Sequence, residues 1–182
     1  MGNLLELLPC PAPHTINTLT APCPTGLLVR RHGMPGKLTK NCSPVTNPFW
    51  ASKLRTVVLT PKIKVTGFGP ATALFKQALD KVAIENPSLY DALGTAGMLC
   101  NRHVRGSPKV LSNHALGMAI DFTVHGVLDS RGDNKVLRGM QELYSIFKTF
   151  GLYWGAGFGV EDAMHFEVGY YKIMEWVQEG LL

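Results

Sequence analysis

The sequence predicts an α+β fold: a small antiparallel sheet with helices packed on one side of it, preceded by a proline-rich arm. Three observations carry this expectation. Gly117–His125 and Met164–Val168 alternate core-type and small or polar residues with the period of a strand. Ala71–Asn86 and Leu137–Phe150 repeat apolar residues at helical spacing. Eight of the twelve prolines fall within residues 1–50.

In chain order, residues 1–50 read as an extended arm, because proline removes a backbone N–H and fixes φ. Turns are expected at Gly33-Met34-Pro35-Gly36 and Ser43-Pro44. Leu27, Leu28, Val29, Phe49 and Trp50 give the arm apolar surface with which to pack. The remainder, 51–182, reads as one domain with a core of its own. Arg55–Thr60 and Lys62–Thr66 are short strands split by Pro61. A helix from Ala71 to Asn86 follows, with Leu74, Phe75, Ala78, Leu79 and Val82 on its apolar stripe and Pro87 limiting it. Ser88–Leu93 adds a helical turn or two, ended by Gly94. Gly97–Ser107 reads as a strand running into a loop, and Ser107-Pro108-Lys109 as a turn.

Gly117–His125 is the more informative strand. Met118, Ile120, Phe122 and Val124 would face a core, while Ala119, Asp121, Thr123 and His125 fall on the other face. Asp129–Asn134 reads as a surface turn, too short and ligand-poor for a calcium loop. Leu137–Phe150 is the second amphipathic helix, closed by Gly151. Tyr153–Gly159 is an aromatic, glycine-rich loop in which Trp154 either walls a groove or belongs to the core. Met164, Phe166 and Val168 then alternate with His165 and Glu167, and Tyr171–Leu182 is a final helix.

Two strands that each offer a metal-capable side chain on the non-core face suggest one metal between them. Zinc takes imidazole nitrogen and carboxylate oxygen, and a catalytic site keeps three protein ligands with one position open. His114, Asp121 and His165 are the expected ligands. His125 shares the Asp121 face but sits ~13 Å along the strand, too far for the same ion. Asp162, three residues before His165, is expected on the turn into the strand, leaning over a metal-bound water as general base. Glu167, ~6.6 Å from His165 on the same face, suits a carboxylate that orients the imidazole. Ser112 would either hydrogen-bond a substrate or brace the loop that carries His114.

Composition narrows the partners. A hydrophobic fraction of 46% and a charged fraction of 17% fit a globular domain. The net charge of +5 and pI near 9.1 favour an anionic partner, or merely aid solubility. No basic run or interleaved aromatic pattern points to nucleic acid. No apolar run approaches the ~18 residues of a membrane span. The N-terminus lacks the basic region of a secretory signal, so synthesis as a cytoplasmic polypeptide is expected. Cys10, Cys23, Cys42 and Cys100 show no paired spacing. Free thiols are the default, although a disulfide within the first quarter is open, and Cys100 reads as a buried small hydrophobe.

Ser112-x-His114-x-x-Gly117-x-Ala119-x-Asp121, followed by Asp162-x-x-His165-Phe166-Glu167, resembles the D-alanyl-D-alanine carboxypeptidase (VanY-like) family of zinc peptidases. The resemblance covers about Val65 to Tyr170. It implies a fold shared with Hedgehog signalling domains, zinc at His114, Asp121 and His165, and a catalytic carboxylate at Asp162. It also implies a substrate-facing arginine at Arg102, with Arg105 the competing candidate. The activity it implies is hydrolysis of peptidoglycan stem peptides. An L-alanyl-D-glutamate endopeptidase of the phage-lysin type, released through a holin-made hole to act at the cell wall, is the first expectation. A D-alanyl-D-alanine carboxypeptidase or dipeptidase is an alternative. A zinc-binding cell-wall module without catalysis is another.

Overall fold

The structure is a computed structural model that describes residues 2–39, 41–104 and 110–182. Arg105 and the expected turn at Ser107-Pro108-Lys109 lie outside the described residues. The elements run β1 (Leu7–Pro9), α1 (Thr25–His32), α2 (Pro48–Lys53), β2 (Leu54–Thr60), β3 (Ile63–Phe68), α3 (Gly69–Glu85), α4 (Pro87–Ala92), β4 (Leu93–Gly97), β5 (Ala119–Val124), β6 (Lys135–Leu137), α5 (Arg138–Phe147), β7 (Leu152–Trp154), β8 (His165–Val168) and α6 (Tyr170–Gln178). The architecture is α+β with small antiparallel sheets.

A four-stranded antiparallel sheet in the order β4-β5-β8-β7 positions the site. Its register pairs Ile120 with Phe166 and Trp154 with Phe166, placing all three on one face. That face is apolar and is covered by α3 and α5. Phe75 of α3, Phe147 of α5, Phe122 and Phe166 meet in edge-to-face contacts with ring centroids 5.2–6.4 Å apart. On the opposite face the same register sets Asp121 against His165 and Ala119 against Glu167. The two-residue period therefore sorts core from site on both central strands.

Several boundaries differ from the expectations. Gly94 does not end a helix. It lies in β4, paired with Thr123 of β5, because Leu93 already turns extended after α4. The expected strand beyond Gly97 is a loop held by single bridges, Arg102 to Thr39 and Asn101 to Ser43. Leu137 ends β6, and the helix after it begins at Arg138. The proline-rich segment holds a helix, α1, that the proline count did not anticipate; no proline falls between Pro24 and Pro35, so Thr25–His32 is free of them.

That segment is well packed. Leu28 and Trp50 are fully buried, β1 pairs with β6, and Trp50 donates its indole N–H to Gly33 O at 2.9 Å. Cys100 is not a lone hydrophobe. It is disulfide-bonded to Cys42, with the Cα atoms 4.7 Å apart, tying residues 41–44 to the loop that precedes His114.

Candidate metal centre

The ligand arrangement follows from three local devices. A 3₁₀ turn at Asn113–Leu116 carries His114 and ends at Gly117, which has φ +64°. A side chain at Gly117 would be strained by that conformation and would meet Phe68 N at 2.7 Å, so only glycine lets β3 and this turn approach so closely. Strand β5 then presents Asp121 directly opposite His165 of β8. Finally, Gly155 accepts the Asp162 N–H at 3.0 Å, and a Cβ on it would meet Asp162 O at 2.4 Å and His165 Cβ at 3.0 Å. The turn carrying Asp162 is thereby seated against the start of β8.

His114 Nε2, Asp121 Oδ1 and His165 Nδ1 form a near-equilateral triangle with sides of 3.1, 3.1 and 3.2 Å. Hydrogen bonding on the far side of each ring says what these atoms offer. His114 Nδ1 sits 2.7 Å from Met98 O, which can only accept, so Nδ1 carries the proton and Nε2 presents a lone pair. His165 Nε2 sits 2.9 Å from a carboxylate oxygen of Glu167, so Nδ1 is the lone-pair nitrogen. Two lone pairs and a carboxylate oxygen thus converge on one point, an arrangement that could hold a cation. Zinc bonds of about 2.0–2.1 Å at tetrahedral angles put neighbouring ligand atoms about 3.3 Å apart, close to the observed triangle. The donor set fits zinc.

The electrostatics agree. Burial alone would raise the Asp121 carboxyl, but hydrogen bonds with His114 and His165 outweigh it and hold the group well below the ordinary carboxylate range. Burial would lower His165, yet its hydrogen bonds with Asp121 and Glu167 push it up to about 10.

Asp162 lies on the turn before β8, partly buried. Its carboxyl is raised, chiefly by burial and also by Asp121, with His165 and Arg131 opposing. Arg131 Nε lies 3.6 Å from Asp162 Oδ2. Arg131 sits in the stretch read from sequence as a surface turn, and residues 130–135 are exposed, with the turn anchored by buried carboxylates beside it. Glu161, 6% exposed, accepts N–H bonds from Asp133 at 2.8 Å and Asn134 at 3.3 Å, and its own carbonyl accepts from Gly132. Asp129 is buried as well, accepting from Leu137 N–H. The adjacent Glu161-Asp162 pair was the available sequence signal: of two carboxylates in a row, Glu161 is buried and holds the loop while Asp162 stays partly exposed and meets Arg131.

The remaining candidates separate. Glu167 is 1% exposed behind His165, and it also accepts from Cys23 N–H at 2.8 Å and from the Asn113 side-chain amide. Ser112 is 6% exposed; its backbone N–H donates to Arg102 O at 3.1 Å and its carbonyl accepts from Ala115 N–H, contacts of a residue bracing the loop. Arg102 is partly buried on that loop and donates from Nη1 to His103 O at 3.0 Å. His125 is exposed at φ +50° in the turn after β5, apart from the cluster. Trp154 does not wall a groove. It shares the core face of the sheet, stacks on Tyr144 and Phe166, and donates its indole N–H to Ala163 O at 2.7 Å.

Residues 105–168 match the family model described as D-alanyl-D-alanine carboxypeptidase. No curated protein matches the chain. The matched span contains His114, Asp121, Asp162, His165 and Glu167, whereas Arg102 lies just ahead of it. Among the described residues, His114, Asp121 and His165 are the group of ligand-type side chains close enough together to hold one metal ion. The match supports a peptidase, and the geometry supplies a group, His114, Asp121 and His165, that could hold a metal ion.

Proposed function

We propose that the chain is a zinc peptidase that cleaves stem peptides of bacterial peptidoglycan, with the L-alanyl-D-glutamate bond as its first substrate. The observation that carries the reading is the convergence of His114 Nε2, His165 Nδ1 and Asp121 Oδ1, with a separate carboxylate, Asp162, on the adjoining turn. A structural zinc site usually recruits four closed ligands, often cysteines. Here Cys42 and Cys100 are consumed in a disulfide and Cys23 is hydrogen-bonded through its backbone to Glu167.

His114, Asp121 and His165 would hold the zinc, which when bound would supply an electrophile for the scissile carbonyl and acidify a water toward a pKa of ~7. Asp162 takes the proton of the attacking water and returns it to the leaving amine. Arg131 faces Asp162 and offsets part of the burial that would otherwise keep the carboxyl protonated. Glu167 fixes the His165 tautomer. Arg102 is the residue proposed to meet a substrate carboxylate or the developing oxyanion, for which a planar guanidinium is suited.

The Cys42–Cys100 disulfide favours action outside a reducing cytoplasm, as does a wall substrate. No helix among the described residues is long and apolar enough to cross a membrane. Release through a holin-made hole in a phage context accords with both. Digestion of purified peptidoglycan with zinc-loaded protein, analysed by mass spectrometry, tests the reading. New L-alanine carboxyl ends paired with new D-glutamate amines are expected. Loss of terminal D-alanine alone would reassign the chain to the carboxypeptidase alternative, and an unaltered digest would overturn the peptidase reading.

A further inference from the structure

The proline-rich segment reaches into the metal centre. Pro22 and Pro24 flank Cys23, so across these three residues Cys23 carries the one backbone N–H. That N–H donates to Glu167 Oε1 at 2.8 Å in a buried bond. Two residues on, at the start of α1, the Thr25 hydroxyl donates to Asn113 Oδ1, and the Asn113 amide donates to Glu167 Oε2. The same Oε2 faces His165 Nε2 at 2.9 Å. Glu167 is 1% exposed, so these groups replace the water it would otherwise bind.

The segment is itself clamped to the domain just ahead of this contact, at Asn17 and at Ala21. Asn17, at φ +55°, pairs its side-chain amide with the backbone of Trp154, accepting from Trp154 N and donating to Trp154 O, each at 2.9 Å. It thereby acts as a neighbouring strand for the edge of β7. Ala21 O accepts from Tyr170 N at 2.8 Å where α6 begins. From Ala21 to Thr25 the backbone carries Pro22 and Pro24, so it is stiff and loses little freedom on docking.

We propose that residues 17–25 are a working part of the metal site, with Thr25 and the Cys23 N–H acting as positioning groups. Through Asn113 and Glu167 they hold His165 with Nδ1 toward the metal. The chain of contacts is Thr25 to Asn113, Asn113 and Cys23 to Glu167, and Glu167 to His165. Without the outer donors the Glu167 carboxylate can rotate away from Nε2, and the imidazole loses the partner that fixes its tautomer and ring plane. The inference rests on the zinc reading above.

The test is zinc affinity, measured on the full chain by competition with a chelator. Thr25→Val keeps the shape of the side chain and removes its donor; Thr25→Ser keeps the donor. Partners behind a metal ligand typically change affinity by about 10–100-fold. Thr25→Val and Asn113→Ala are expected to weaken zinc binding by about that factor, and Thr25→Ser to stay within about threefold of the parent. Thr56→Val, on the exposed β2–β3 hairpin where the hydroxyl meets only Thr66, is the control and should leave affinity unchanged. Should Asn113→Ala fail to fold, the Val and Ser pair at Thr25 carries the test alone. Parent-like affinity in Thr25→Val, or equal losses in Val and Ser, overturns the inference while leaving the zinc reading intact. A parent chain that takes up no zinc overturns both.

Discussion

Asp129 sits 2% exposed at the base of the β5–β6 loop, with one carboxylate oxygen on Leu137 N–H and the other without a partner among the described residues. Burial pushes its pKa up to about 6, against the pull of the Leu137 N–H. The sign follows directly. The folded protein holds the Asp129 proton more tightly than the unfolded chain, so this group stabilises most below the ordinary pKa of ~4. That contribution is lost as pH rises through about 6. Asp129→Asn keeps an acceptor for Leu137 and cannot ionise. Its melting temperature is expected to gain on the parent's steadily between pH 4 and pH 7. A difference that stays constant over that range would remove Asp129 as the titrating group. Neither this residue nor Glu161 was legible in the sequence as buried, because an acidic, glycine-containing stretch reads as a solvated turn. The turn itself stays exposed; what is buried beside it is Glu161, which accepts the Asp133 and Asn134 N–H groups, and Asp129, which accepts that of Leu137.

At the scale of the element, the strands β5 and β8 were the most legible parts of the fold. Their alternation separates Ile120, Phe122 and Phe166 from Asp121, His165 and Glu167, and the structure keeps that separation. The neighbouring strands were harder to read. Trp154 reads equally as a groove wall because Tyr153–Gly159 is rich in glycine. Only the pairing of Trp154 with Phe166 puts it on the core face. The same holds for Gly94, whose strand character depends on Thr123 across the ladder. The Cys42–Cys100 disulfide joins residues 58 apart in sequence, with nothing in local spacing to announce it. Trp154 yields a prediction at this scale. Trp154→Ala should destabilise the domain by about 3–5 kcal/mol in denaturant unfolding, the usual cost of emptying a buried aromatic site. A change below about 1 kcal/mol, with turnover reduced instead, would return the side chain to the substrate groove.

For the whole molecule, the layers have distinct tasks. Helices α3 and α5 cover one face of the sheet and leave the other for chemistry. The arm stiffens the ligand side from the β7 edge, and the disulfide fixes the loop that bears Arg102. That His114, Asp121 and His165 belong together was readable from their types and spacing, and the structure groups their side chains. Their supports were not, because hydrogen bonds to Met98 O, Cys23 N and Asn113 come from distant segments.

The central claim is that Asp162 supplies proton transfer to a metal site it does not help to build. Asp162→Asn preserves size and removes the basic carboxylate, so the variant should bind one zinc per chain as the parent does. Its rate of stem-peptide cleavage, measured at equal zinc loading, should fall by about 10²–10⁴-fold, the range for loss of a general base. A zinc-loaded Asp162→Asn protein that cleaves at the parental rate would contradict the account.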